Sequence, residues 1–328
     1  MERAIRNIKE QFLSTLIVQN PEKLEKASSL IVGGMGGSNL ASGLYAMFAP
    51  EIPILIHRDY GIPSASPKKE GALAIASSYS GNTEEALDFA RTARGRGFAI
   101  SAITSGGALL SMARKFLLPH VVLPGLGIQP RVALPLSIRA IAMLAKNDRV
   151  YGDITAFGNE VDPNLLEEKG RDMASLSLGK IPIIYSSLRN APLSYIWKIK
   201  LNETGKVPAF SNTFPEINHN EIEGFDYSNL SHELSEKFYF IFLKDEADHA
   251  SVRARMDLTK ELLVEKRFLV TILDLAGKSQ TEKIFNNIIL ADWASLYTAR
   301  AYDSDPEAVP LIESLKKRLA RMNVSSVK

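Results

Sequence analysis

The stretch Ala74-Ile-Ala-Ser-Ser-Tyr-Ser-Gly-Asn-Thr-Glu-Glu85 changes its residue period within a few positions, and that change restricts the folds open to the chain. Ala72 to Ser77 is a small apolar run of strand length, whereas Ala86, Leu87, Ala90 and Ala93 recur at helical spacing between Thr83 and Gly95. A strand that enters a helix through a short polar turn is the unit of a parallel α/β sheet, with the turn at the sheet's carboxyl edge. There the helix presents unpaired N–H groups and the positive end of its dipole, a cradle for phosphate. Ser78, Ser80 and Thr83 add hydroxyl donors, and Gly81 lets the backbone approach a ligand. The same residues also read as a capped helix start, with Asn82 or Thr83 as cap and Glu85 as first-turn charge.

The unit recurs along the chain. After an opening helix within residues 1–18, Leu30 to Gly33 reads as a buried strand leading into Gly33-Gly-Met-Gly-Gly-Ser38, and helical spacing follows through Leu40, Leu44, Met47 and Phe48. The glycines do not meet the G-x-G-x-x-G spacing, and no ribose-binding acid closes a strand about twenty residues later, so a dinucleotide is not implied. Strands follow at 52–57, 98–104 and 121–123, with a helix from 108 to about 115 and an apolar helix after Arg131. Asn147 to Asn164, rich in Asp and Gly, reads as a linker; it divides the chain into a first domain, 1–150, with the phosphate turns, and a second, 151–328. Alternation resumes beyond it: helix 165–176, strand 181–185, helix 191–204, a strand near 207–210, strand 237–243, helix 246–263, strand 268–273, helix 282–300 and a last helix from about 306 to 322. The fold class is α/β, with two doubly wound, mainly parallel sheets plus an N-terminal and a C-terminal helix.

Composition narrows the function. With 39 basic and 37 acidic residues the formal charge is +2, so nothing favours nucleic acid or a membrane surface as partner. No stretch reaches transmembrane length and the amino terminus lacks a signal peptide's apolar centre, so a cytoplasmic protein is expected. Cysteine is absent, and the five histidines are scattered without a close ligand pair, so a protein-bound metal is not expected.

Three charged residues carry candidate chemistry. Arg131, after Gln129-Pro130, sits where a helix should begin; a cation there opposes the dipole, a conflict that solvent or an anionic partner relieves. Glu203 lies in the last turn of a helix, facing its negative end, which suits a general base and equally allows pairing with Lys200 or Lys206. His219 lies in the loop Glu216-Ile-Asn-His-Asn-Glu-Ile-Glu-Gly224; histidine is the side chain suited to passing protons to and from a substrate oxygen near neutral pH, and which carboxylate orients it is open. The basic cluster Lys316, Lys317, Arg318 and Arg321 ends the last helix, where it matches the dipole.

Val32-Gly-Gly-Met-Gly-Gly-Ser38, Ser78-Tyr-Ser-Gly-Asn-Thr-Glu-Glu85, Gln129-Pro-Arg131, Leu201-Asn-Glu203 and Asn218-His-Asn-Glu221 together resemble the bifunctional phosphoglucose/phosphomannose isomerases of archaea and some bacteria. The serine-rich turn alone points only to the wider sugar-isomerase (SIS) fold, which includes regulators; the combination with Asn202-Glu203 and the histidine loop is more specific. The resemblance implies that Gly37, Ser38, Ser78, Ser80 and Thr83 hold a substrate phosphate, that Glu203 shuttles a proton between C1 and C2, and that Arg131 lies beside the developing enediolate. It implies that His219 and a lysine of the final helix help open the sugar ring; Lys316 follows Leu315 as the family's lysine does, and Lys317 adjoins it. It further implies hexose 6-phosphate substrates, metal-independent isomerisation that needs no cofactor, and a homodimer in which His219 reaches the partner's site.

The chain departs from the family at Asn39-Leu-Ala-Ser-Gly43, where the family is richer in glycine, and at Thr204-Gly205, where it often has Asn-Ala; these bear on helix packing near the phosphate and on placement of the base. A non-catalytic sugar-phosphate sensor on the same fold is the alternative, though both halves are occupied by α/β alternation and leave no DNA-binding appendage. An aminosugar isomerase is disfavoured because no amidotransferase region or ammonia-supplying nucleophile is evident.

Overall fold

A computed structural model describes residues 1–64 and 66–325. Helices α1 (Glu2–Arg6) and α2 (Ile8–Leu13) open the chain. β1 (Val18–Gln19), β2 (Ser29–Gly34), α3 (Gly37–Phe48), β3 (Ile54–His57), β4 (Ala72–Ser77), α4 (Glu84–Gly95), β5 (Ala99–Thr104), α5 (Gly107–Lys115) and β6 (His120–Val122) build the first sheet and its flanking helices. α6 (Leu134–Leu144), α7 (Asp148–Glu160) and α8 (Glu167–Ser177) lead to the second, made of β7 (Ile181–Ser187), α9 (Ala191–Glu203), β8 (Phe210–Phe214), α10 (His232–Ser235), β9 (Phe238–Lys244), α11 (Ala250–Glu265) and β10 (Leu269–Asp274). α12 (Gln280–Ala301) and α13 (Pro310–Ser325) follow. Among the described residues, no helix is long and apolar enough to cross a membrane.

The first sheet has six strands in the order β1-β6-β5-β4-β2-β3, parallel except for β1; the second has four parallel strands in the order β10-β9-β7-β8. In the first, the chain leaves β2 for β3 on one side and returns to β4 on the other. The carboxyl ends of β2 and β4 therefore flank a topological switch point, the usual crevice for a ligand in an open α/β sheet.

Strand alternation builds the layers. Leu30 and Val32 of β2, Leu73 and Ile75 of β4, and Tyr239, Ile241 and Leu243 of β9 all face one shared core. Their alternates face outward: Ile31, Ala74 and Ala76 under α4 and α5, and Phe240 and Phe242 under α11. The shared core also takes in residues of α2, α3, α6, α7, α9 and α12, so both sheets bury one face against the same apolar mass. At its middle lies Phe285 of α12, whose ring is 4.7 Å from that of Phe12, 6.0 Å from Phe157 and 6.1 Å from Phe48.

The fold class agrees with the sequence reading; three local expectations do not. Asn147 to Asn164 is not an open linker: most of it is α7, whose polar residues lie on one face while Val150, Ile154 and Phe157 are buried on the other, and Asn147 caps it by accepting from the Val150 N–H at 3.1 Å. The strand expected near 207–210 begins only at Phe210, because the Asn202 side-chain amide holds the Val207 carbonyl at 2.9 Å and the Ala209 carbonyl at 3.4 Å. The opening helix breaks at Asn7 into α1 and α2, and β1, only two residues long, carries no legible period.

Replacing Phe285 by Ala is expected to cost about 3–5 kcal/mol of stability, through lost burial and a cavity between helices of both halves. Urea unfolding measures this, and a loss under about 1 kcal/mol would show that the halves do not share a load there.

Candidate active site

The turn after β4 is built by its own hydroxyls. Ser78 is buried, its Oγ accepts the Gly81 N–H at 3.1 Å and lies 2.8 Å from Thr83 Oγ1. Gly81 has φ +72° and its Cα faces the Gly106 carbonyl, so a side chain is excluded both by conformation and by space. Asn82 does not cap its own helix; its Oδ1 accepts the Ala108 N–H of α5 at 3.0 Å and ties the neighbouring helix start to the turn. Ser80 is exposed, its Oγ accepting weakly from the Asn82 N–H at 3.3 Å.

The glycine turn after β2 meets this turn directly. Ser38 Oγ accepts the Tyr79 N–H at 2.9 Å, and Ser77 Oγ donates to the Ser38 carbonyl at 2.9 Å. A hydroxyl that accepts one bond keeps its own proton to donate. The departure at Asn39 is put to use: its amide donates to the Gly34 carbonyl at 2.7 Å and the His57 carbonyl at 3.0 Å, pinning the start of α3 to the ends of β2 and β3. Gly37 lies so close to the next segment that a Cβ there would stand 2.5 Å from the Arg131 nitrogen and 2.7 Å from the Pro130 carbonyl carbon.

Arg131 sits in a short 3-10 turn, Pro130–Val132, and is 2% exposed, so the solvated cation that the sequence allowed is not what forms. Its Nε donates to Thr204 Oγ1 at 2.8 Å, Nη1 to Glu203 Oε2 at 3.3 Å and Nη2 to the Pro306 carbonyl at 2.7 Å. Those bonds engage three of the guanidinium's N–H groups, leaving capacity for an anion. The other buried arginine differs: Arg139 is surrounded by neutral acceptors, namely the Gln11 and Ser14 carbonyls, Thr155 and Tyr151. Burial pushes the Arg131 guanidinium below its usual range, while the charges of Glu203 and Asp292 pull it back up.

Glu203 ends α9 with its side chain 26% exposed, so it faces Arg131 on one side and remains open on the other. It pairs with neither nearby lysine. Lys206 donates to the backbone carbonyl of Glu203 at 2.6 Å and also reaches the Ala308 carbonyl, while Lys200 turns inward to Asp292. Thr204, a departure from the family, is the residue that fixes Arg131 Nε.

Among the described residues, no hydrogen bond or ion pair joins His219 or Lys316 to this group. His219 is exposed in a loop anchored around it: Asn218 donates to Thr259 at 2.8 Å, Asn220 to Glu216 at 2.6 Å, and Glu221 accepts from Tyr185 and Asn212. Among the described residues, no carboxylate of the loop bonds the His219 ring. Burial and the Glu221 carboxylate push the Tyr185 phenol well above its ordinary range, so that hydroxyl stays a donor to Glu221. Lys316 and Lys317 are exposed on α13, whose lead-in docks on the site through the Pro306 and Ala308 carbonyls.

The sequence raises Lys200 and Lys206 as partners of Glu203 and Thr204 as a residue near the base, but it gives no sign that Thr204 and Pro306 bind Arg131, that Lys206 holds backbone carbonyls, or that Lys200 pairs with Asp292. The one signal that bears on the last is Asp292 itself, a carboxylate inside the apolar run from Ile288 to Leu296 of α12.

Residues 166–319 match the family described as bacterial phospho-glucose isomerase C-terminal SIS domain. A bifunctional phosphoglucose/phosphomannose isomerase of Caldicellulosiruptor bescii is 35% identical over 92% of both chains, and one of Aquifex aeolicus is 32% identical over 89% of this chain and 90% of its own. Among solved structures, a glucosamine-6-phosphate deaminase from Thermotoga maritima superposes with a TM-score of 0.66 at 16% identity, covering 94% of this chain and 97% of that one, a likeness of fold. The chain belongs to the bifunctional phosphoglucose/phosphomannose isomerase family.

Proposed function

We propose that the chain interconverts glucose 6-phosphate, mannose 6-phosphate and fructose 6-phosphate, through a cis-enediolate and without a metal. The observation that carries this reading is the unbroken run of contacts from the Ser78 turn through Ser38 and Gly37 to Arg131 and on to Glu203. Phosphate occupies the turns that carry Gly37 and the hydroxyls of Ser38, Ser78, Ser80 and Thr83, where α3 and α4 begin. Its binding energy fixes the carbon chain against the base.

Glu203 takes the C2 proton of an opened aldose; the C–H electrons form the C1–C2 double bond and the carbonyl electrons collect on O1. Arg131 stabilises that oxygen charge in a partly desolvated site. Return of the proton to C1, with the O2 proton passing to O1, gives the ketose. The negative charge leaves Glu203 as it reaches the enediolate, so the buried surroundings keep the same net charge throughout. Rotation about C2–C3 lets the same carboxylate serve both C2 configurations.

His219 and Lys316 serve ring opening. His219 does so in the site of a second copy of the chain, a role its exposed ring and braced loop support. The working form is thus a homodimer. Each chain is read as two units, 1–150 contributing the phosphate turns and 151–328 contributing Glu203 and His219, acting in the cytoplasm.

Glu203→Gln is expected to lower turnover by about 10²–10⁴ while sparing fructose 6-phosphate binding, measured by a coupled assay and calorimetry; turnover within a few-fold of the parent removes Glu203 as base. Separately inactive Glu203→Gln and His219→Ala chains, unfolded and refolded together, are expected to recover activity near about a quarter of the parent's sites, because each mixed dimer holds one intact site. No recovery would place the histidine and the base in one chain. Exhaustive chelation is expected to leave both isomerase activities unchanged, and loss restored by added divalent ion would exclude the metal-free route.

A further inference from the structure

We propose that Lys200 and Asp292 form a buried positioning pair for Arg131, an inference that rests on Arg131 being the charge stabiliser. One backbone carbonyl at the start of α6 lacks its usual donor. The Arg131 carbonyl precedes α6, and the residue four positions on, whose N–H would ordinarily cap it, is Pro135, which has none. Lys200 supplies the missing donor: its Nζ lies 3.2 Å from the Arg131 carbonyl oxygen and also donates to Asp292 Oδ1. Lys200 is 0% exposed and Asp292 2%.

Lys200 is on the last turn of α9, one turn before Glu203 and Thr204, and its own carbonyl accepts the Thr204 N–H at 2.9 Å. The same helix turn therefore holds Arg131 at both ends: at the backbone through Lys200 and at the guanidinium through Thr204 and Glu203. Asp292, from the central helix α12, keeps Lys200 in place and contributes charge that favours protonated Arg131. Its Oδ2 is buried without a hydrogen-bond partner among the described residues, so the carboxylate is not fully satisfied as a structural group.

Stability alone gives a weak reason to keep such a pair. A buried ion pair replaced by apolar residues of similar volume is often neutral or stabilising. What the apolar replacement cannot do is hold the Arg131 carbonyl. The pair touches no substrate in this reading; it acts through the aim of the guanidinium, and a displacement of about 1 Å there costs turnover on the order of 10²-fold.

The test is the double substitution Lys200→Met/Asp292→Leu in the full-length protein, with thermal unfolding, kcat and KM for fructose 6-phosphate. A folded protein with kcat reduced about 10- to 100-fold and KM within about threefold of the parent is expected. On an Arg131→Ala background, itself reduced about 10²–10³-fold, the double substitution should add nothing further. Asp292→Asn, which retains an acceptor for Lys200, should preserve most of the parent kcat. Unchanged kcat in the folded double variant, or fully additive losses with Arg131→Ala, overturns the proposal. If the Met/Leu protein does not fold, Lys200→Met/Asp292→Asn takes its place with the same two outcomes. Near-parental activity of Arg131→Ala would instead overturn the reading of Arg131 on which the pair depends.

Discussion

A guanidinium taken out of water must be held on several sides, and the site is arranged around that requirement. Desolvating a cation is expensive unless its N–H groups find acceptors and a counter-charge lies near. Arg131 finds them on two separate segments, the end of α9 through Glu203 and Thr204 and the lead-in to α13 through the Pro306 carbonyl, while a third, the start of α3, leaves room for its backbone at Gly37. Each segment comes from a different part of the chain, so correct packing of both sheets is a condition for the cation to be in place.

That condition explains why the shared core matters to chemistry. Both sheets turn one face toward the same apolar mass, and α12 runs through it with Asp292 at its centre and Phe285 near its start. The Ser38 and Ser78 turns lie at the edge of one sheet, and Glu203 ends the helix that follows the first strand of the other. Apolar burial is non-directional and sets the approximate approach; the hydrogen bonds of Arg131, Lys200 and Ser38 then select one geometry.

Legibility in the sequence followed distance along the chain. The turn at 74–85 was readable because the period changes within a few residues and the hydroxyls are contiguous. The fold class was readable because alternation is local to each strand, as with Leu30, Ile31 and Val32 facing opposite layers. The meeting of Arg131 with Glu203 was not, since a pair 72 residues apart leaves no periodic trace; only the resemblance to a family linked them. Asn82 or Thr83 reads as the cap of the following helix because propensity speaks of neighbours in sequence, whereas the Asn82 side-chain Oδ1 accepts from α5 across the turn. Likewise α7 looked like a linker because its solvent face is polar, and three buried side chains at helical spacing outweighed that appearance.

For the proposed isomerisation, a sugar phosphate gripped at the Ser78 and Ser38 turns must bring its C1 and C2 between Arg131 and Glu203. A crystal structure with a phosphorylated hydroxamate, a mimic of the planar enediolate, tests it most directly. The phosphate is expected on those turns, with the hydroxamate oxygens within hydrogen-bond distance of Arg131 and the adjoining carbon facing Glu203. A phosphate seated elsewhere, or reactive atoms beyond contact with Glu203 in every copy, would contradict it.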